Sequence, residues 1–126
     1  MEHLVVGEIV TSFYKTGKYI GEIVEIRPNG YLIKVLAVLK HPMQGDLHHP
    51  KEVENVMFHQ RKALTYLEKA TVPFSQTKRY EEPVMDYKDS LKLALEKMKA
   101  ELLNASSDFN TLSLKNLEIL TSEYGL

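Results

Sequence analysis

The chain has 126 residues, 44% hydrophobic and 26% charged, with 16 Lys and Arg against 17 Asp and Glu for a formal net charge of −1. That length and composition fit one folded domain, 1–126, and the charge balance excludes a global field drawing the chain to nucleic acid or anionic membrane. The absence of cysteine excludes disulfides, thiolate metal sites, cysteine nucleophiles and a lipid carried on an N-terminal cysteine.

Residues 6–14, 19–26 and 31–39 are rich in β-branched and aromatic residues and are separated by turn signals, which predicts three strands. Lys15-Thr16-Gly17-Lys18 makes the first turn. Asn29-Gly30 makes the second, a hairpin in which both residues tolerate positive φ. In the third strand Tyr31, Ile33, Val35, Ala37 and Leu39 alternate with Leu32, Lys34, Leu36 and Val38. So few polar residues imply that its second half is covered on both faces, by the sheet's own core and by helices or a partner subunit.

Residues 41–50 form a loop by their prolines, glycine and polar content. Periodicity leaves 53–68 open between a helix, with Val53, Val56, Met57, Leu64 and Leu67 on one face, and two short strands at 56–58 and 63–67. Strands are the preferred reading, because five short strands curl into a small barrel without exposed edges. The barrel-like part then occupies 1–70 and 71–85 is a surface connector.

Asp86 is placed to cap a helix reaching Asn104, with Asp89 in its first turn and an apolar stripe of Tyr87, Leu91, Leu95, Met98 and Leu102. Ser107 caps a second helix reaching Tyr124, with Phe109, Leu112, Leu117, Leu120 and Tyr124 inward and Gly125 as the stop. So short a link makes the helices of 86–126 antiparallel. The fold expected is α+β: an antiparallel, SH3-like barrel followed by a two-helix hairpin. Leu93, Leu103, Leu114 and Ile119 lie beyond the inward stripes and suggest a homodimer through the helical half.

No catalytic motif is complete. The glycine and lysines of Lys15-Thr16-Gly17-Lys18-Tyr19 do not make a phosphate loop, since Ser12 and Tyr19 stand where glycine and Ser or Thr are needed. There is no G-x-S-x-G elbow, and Glu81-Glu82 and Asp86 with Asp89 serve a helix dipole better than they serve acid–base catalysis. His41, His48, His49 and His59 with Asp46 match no zinc spacing; hydrogen bonding within a loop is preferred. No cofactor or metal is therefore expected. Lys15, Lys18, Lys40, Arg61 and Lys62 gathered at one barrel end give the alternative reading, a small-barrel nucleic-acid binder.

Three segments carry a resemblance: Tyr14-Lys15-Thr16-Gly17-Lys18-Tyr19, then Leu36-Ala37-Val38-Leu39-Lys40-His41-Pro42-Met43-Gln44-Gly45-Asp46-Leu47-His48, then Phe58-His59-Gln60-Arg61-Lys62-Ala63-Leu64. In order and spacing the chain resembles the kinase-associated protein B family of endospore-forming bacteria, also called kinase-associated lipoprotein B. The resemblance implies a non-enzymatic accessory protein in a phosphorelay, supporting the activity or expression of a sporulation sensor histidine kinase. It carries over no binding residues. The candidate interaction surface is therefore drawn from the matching segments: Lys15, Lys18, His41, Gln44, Asp46, His48 and Arg61. Without a cysteine, a signal-peptide pattern at Met1-Glu2-His3-Leu4 or an apolar run of roughly 20 residues, the expected location is the cytoplasm, at the inner membrane face only through a kinase partner.

Overall fold

Two tight hairpins join the first three strands, β1 (Ile9–Tyr14), β2 (Gly17–Arg27) and β3 (Gly30–Lys40). The computed structural model describes residues 4–45, 60–104 and 107–126. β1 begins three residues later than the apolar run suggests: Gly7 takes φ 96° and the Glu8 carboxylate accepts the Val5 N–H at 2.8 Å, which bends the chain before the ladder starts. In the first turn, Lys15 takes φ 55° and Tyr14 pairs with Gly17.

The second hairpin forms where expected, but for a different reason. Arg27 pairs with Gly30, so Pro28 and Asn29 are the turn residues, and neither Asn29 nor Gly30 has positive φ. Proline second and glycine fourth suit a type I turn. Gly30 is needed for closeness instead: a Cβ there would overlap the Val72 carbonyl oxygen on the neighbouring strand. Gly30→Ala is thus expected to push two strands apart and to cost about 1–3 kcal/mol. Urea denaturation of the variant checks this, and an unchanged midpoint would count against the close contact.

β4 (Lys69–Val72) pairs with β3, and β5 (Lys78–Arg79) pairs with β1, giving an antiparallel sheet of order β4-β3-β2-β1-β5. Only a short 3-10 turn, Phe74–Gln76, separates β4 from β5. The chain leaves one edge of the sheet and lands on the other, which closes the SH3-like barrel. This corrects two expectations. The segment 71–85 is no mere connector, since it completes β4 and supplies β5; strands of four and two residues are too short for a periodic pattern. The strand expected at 63–67 is a turn: Glu68 N–H bonds to the Thr65 carbonyl, the Glu68 carboxylate accepts from Thr65 N–H and Oγ1, and Leu67 takes φ 67°. The other expected strand, at 56–58, lies outside the described residues.

The β2–β3 ladder shifts register three times, skipping Val24 on β2 and Leu36 and Leu39 on β3. Each bulge moves later side chains to the opposite face. Leu39 consequently emerges, 38% exposed, instead of following Ala37 inward, while Val38 is buried. Beside that bulge the Val38 N–H donates to Ser90 Oγ at 2.9 Å. Ser90 therefore ties the sheet to α1 (Tyr87–Leu103).

α1 is capped by the Asp86 carboxylate, which accepts the Asp89 N–H, and α2 (Asp108–Glu123) by Ser107 Oγ, which accepts the Asn110 N–H. Lys99 reaches Thr121 and Glu118 on α2 while Asn110 reaches back to the Leu102 carbonyl, so the helices run antiparallel. Leu91, Ala94 and Leu95 of α1 and Leu117 of α2 pack on Tyr19, Val35 and Val38 of the barrel. Helices thus cover the second half of β3. A second cluster, Val10, Ile23, Tyr31, Ile33 and Val72 with Leu4, fills the barrel itself.

Candidate functional site

Three segments remote in sequence meet beside the β1–β2 turn. Thr16 Oγ1 accepts the Met43 N–H at 2.8 Å, holding the turn to residues 41–45. The buried Gln44 amide then acts like an extra strand partner for Arg61: Oε1 accepts its N–H and Nε2 donates to its carbonyl, both at 2.9 Å. Nε2 also reaches the Pro42 carbonyl, and Arg61 Nε donates to the Gly45 carbonyl at 2.8 Å.

Tyrosines from β2, α1 and α2 hold the same junction from beneath. Tyr19 accepts the Leu64 N–H, Tyr87 donates to the Leu64 carbonyl at 2.6 Å, and Tyr124 accepts the Ala63 N–H at 3.0 Å. Burial pushes the Tyr19 phenol up to about 12 and raises Tyr87 and Tyr124 as well, so all three keep their protons.

The retained Tyr124 proton fixes the state of His41. The His41 ring is fully buried, with Nδ1 3.0 Å from the Pro42 carbonyl and Nε2 3.0 Å from Tyr124 Oη. A carbonyl only accepts, so Nδ1 carries the hydrogen and Nε2 accepts from Tyr124. Burial depresses the imidazole pKa to about 4, against a weaker opposing pull from the Pro42 carbonyl. Neutral His41 therefore serves as a fixed link between residues 41–45 and α2. Both of its ring nitrogens are engaged, which leaves neither free for a metal ion.

The residues singled out from sequence divide accordingly. Lys15 is exposed with its ammonium 5.6 Å from the Tyr14 ring centre, and Lys18 is half-buried with its ammonium 5.4 Å from the Phe13 ring. Arg61 is half-buried and bonded to Gln44 and to the Gly45 carbonyl. His41 and Gln44 are inside, where they brace the surface without forming it. Asp46 and His48, with His49 and His59, lie outside the described residues. Sequence reasoning took Tyr87 and Tyr124 as helix stripe residues and Ser90 as a helix-start residue; their hydroxyls do the tying. A phenol at the edge of an apolar stripe was the available signal, since buried tyrosine hydroxyls need a partner.

The four residues that suggested a dimer are spread to different degrees on the two helices. At about 100° per residue, Leu93 and Leu103 point about 80° apart on α1, and Leu114 and Ile119 about 140° apart on α2. Leu93, Leu103 and Ile119 are exposed and Leu114 is half-buried.

Comparison with known proteins agrees with this architecture. The family model described as kinase associated protein B matches residues 14–125. Kinase-associated lipoprotein B of Bacillus subtilis (strain 168) is 52% identical over 118 residues, covering 94% of this chain and 92% of that protein. The crystal structure of kinase-associated protein B from Bacillus cereus superposes with a TM-score of 0.87 at 44% identity, covering 98% of this chain and all of that one. The matched segments include every described part of the junction, and on this evidence the chain belongs to the kinase-associated protein B family.

Proposed function

We propose that this chain is a non-enzymatic accessory module that supports a sporulation sensor histidine kinase, by binding the kinase or a factor that controls it. The observation that carries this reading is the 52% identity, over nearly the whole chain, to a protein named kinase-associated lipoprotein B. Lys15, Lys18 and Arg61 on the braced junction form the proposed contact surface, with Asp46 and His48 as further members from the same loop. Recognition residues on loops held by a rigid sheet are the usual arrangement, and the hydrogen bonds of His41 and Gln44 supply that rigidity here.

The proposed location is the cytoplasm, at the inner membrane face when the kinase is bound. Its 126 residues include no cysteine to carry a lipid thioether, and no helix among the described residues is long and apolar enough to cross a membrane. A homodimer through the helical half, at the exposed Leu93, Leu103 and Ile119, is a further part of the proposal, and sedimentation showing only monomer would remove it.

Capture on the immobilised full-length chain from sporulating cells, analysed for protein and for RNA, tests the reading. Kinase or its controlling factor is expected without RNA; RNA whose retention falls steeply with salt would point to the nucleic-acid alternative. A Lys15→Ala/Lys18→Ala/Arg61→Ala variant should fold normally and lower kinase-dependent sporulation. Sporulation at the unmodified level would remove this surface from the proposal.

A further inference from the structure

One row of side chains crosses the barrel from β1 to β3. Phe13 pairs with Lys18, and Lys18 pairs in turn with Lys40, so two ammonium groups stand directly opposite each other on neighbouring strands. Like charges in that position repel. The sheet's other lysine pair, Lys34 opposite Lys69, differs because Glu22 stands on the other side of Lys34. No carboxylate sits in the row of Lys18 and Lys40, and among the described residues neither makes an ion pair.

This row faces α1 across a cleft of about 530 Å³. Lys97 adds a third ammonium from the helix, and Glu101 is the one carboxylate in the lining. Between the charges the walls are apolar: Phe13, Leu39, Ala94 and Met98. Leu39 is there because the β3 bulge turned it outward. A second cleft of about 280 Å³ shares Lys40, Met98 and Glu101 with the first and is lined also by Ser113 of α2. Ser113 is 1% exposed, and its hydroxyl has no hydrogen-bond partner among the described residues. A buried polar group left unpaired in a native fold calls for an explanation.

We infer that this cleft is a docking groove for an acidic segment of a partner protein, one in which Asp or Glu residues flank a large apolar side chain. The three lysines supply the charge complement, the Phe13–Leu39–Met98 walls receive the apolar side chain, and Ser113 offers a hydroxyl to a polar group that reaches the adjoining cleft. Nucleic acid fits less well, since a chain of net charge −1 offers no long-range attraction for a polyanion. The inference rests on the reading that this protein works by binding another protein, and it adds to the junction surface a groove that shares Lys18 with it.

Panning a library of short random peptides on the immobilised full-length chain tests it, with a labelled single-stranded RNA oligonucleotide as the competing probe. Enrichment of peptides combining Asp or Glu with Leu, Ile, Phe or Met is expected, with no RNA retained. A Lys40→Glu/Lys97→Glu variant, which changes none of Lys15, Lys18 and Arg61, should bind those peptides at least about tenfold more weakly, while Lys40→Arg/Lys97→Arg restores binding. Thermal denaturation verifies that the surface variants fold. No enrichment, enrichment of basic or uncharged peptides, equal binding by the Glu variant, or RNA retention would each overturn the groove. If the Glu variant loses the peptides yet captures the kinase as the unmodified chain does, the groove stands and serves another partner; if the unmodified chain binds acidic peptides but captures no kinase component, the groove stands and the proposed pathway fails.

Discussion

Lowering the pH from 6.5 to 4 is expected to remove roughly 3 kcal/mol of stability through His41 alone. The folded imidazole has its pKa depressed to about 4 from the ordinary 6.5, mainly by burial. Between those values the unfolded chain binds a proton that the folded chain refuses, so stability is complete above about 6.5 and falls as the pH drops toward 4. The geometry explains the refusal: a proton on Nε2 turns an acceptor into a donor facing Tyr124 Oη, whose own hydrogen must then leave the bond. Urea denaturation across this range, for the unmodified chain and for His41→Gln, isolates the contribution from that of ordinary carboxylates. The unmodified chain should lose about 3 kcal/mol more than the variant; parallel curves would mean that His41 titrates normally in the fold.

A second large effect is expected from Leu117→Ala. Leu117 is fully buried on α2, in the cluster that joins both helices to Tyr19, Val35 and Val38 of the barrel. Removing a buried leucine side chain to Ala costs about 2–5 kcal/mol, with the larger losses where the surroundings cannot collapse. Because that cluster spans both halves, we propose that the chain unfolds as one unit, and that helical and sheet signals shift to lower denaturant together. Loss of the helical signal with the barrel signal unmoved would instead mean two independent units.

The strands, both hairpins and both helices are legible in the sequence because each carries its own local signal: β-branched runs between turn residues, then Asp86 and Ser107 ahead of apolar stripes. The barrel closure is not, since β4 and β5 are too short to be periodic and their pairing with β3 and β1 is decided by what lies beside them. The family too is legible, through the order and spacing of three segments. The character of the candidate site is less so. His41 and Gln44 look from sequence like surface residues of a polar loop, as do Lys15 and Lys18 of the turn, yet two are braces and two are exposed or half-exposed. Residue type sets what a side chain can bond; only the fold sets whether water or a neighbour is there to bond it.

The β3 bulges make the same point. Strict alternation places Leu39 on the same face as the buried Ala37. The skip at Leu39 turns it out instead, because a side-chain period of two gives a residue the other face after one slip. That slip sends Leu39 into the lysine-lined cleft and leaves the Val38 N–H to Ser90. Amino-acid order alone thus determined the first three strands, both helices with their caps and the family, whose causes are local or cumulative along the chain. Tertiary structure alone decided the register of β3, the closure of the barrel and the burial of His41, because each depends on contacts between residues tens of positions apart.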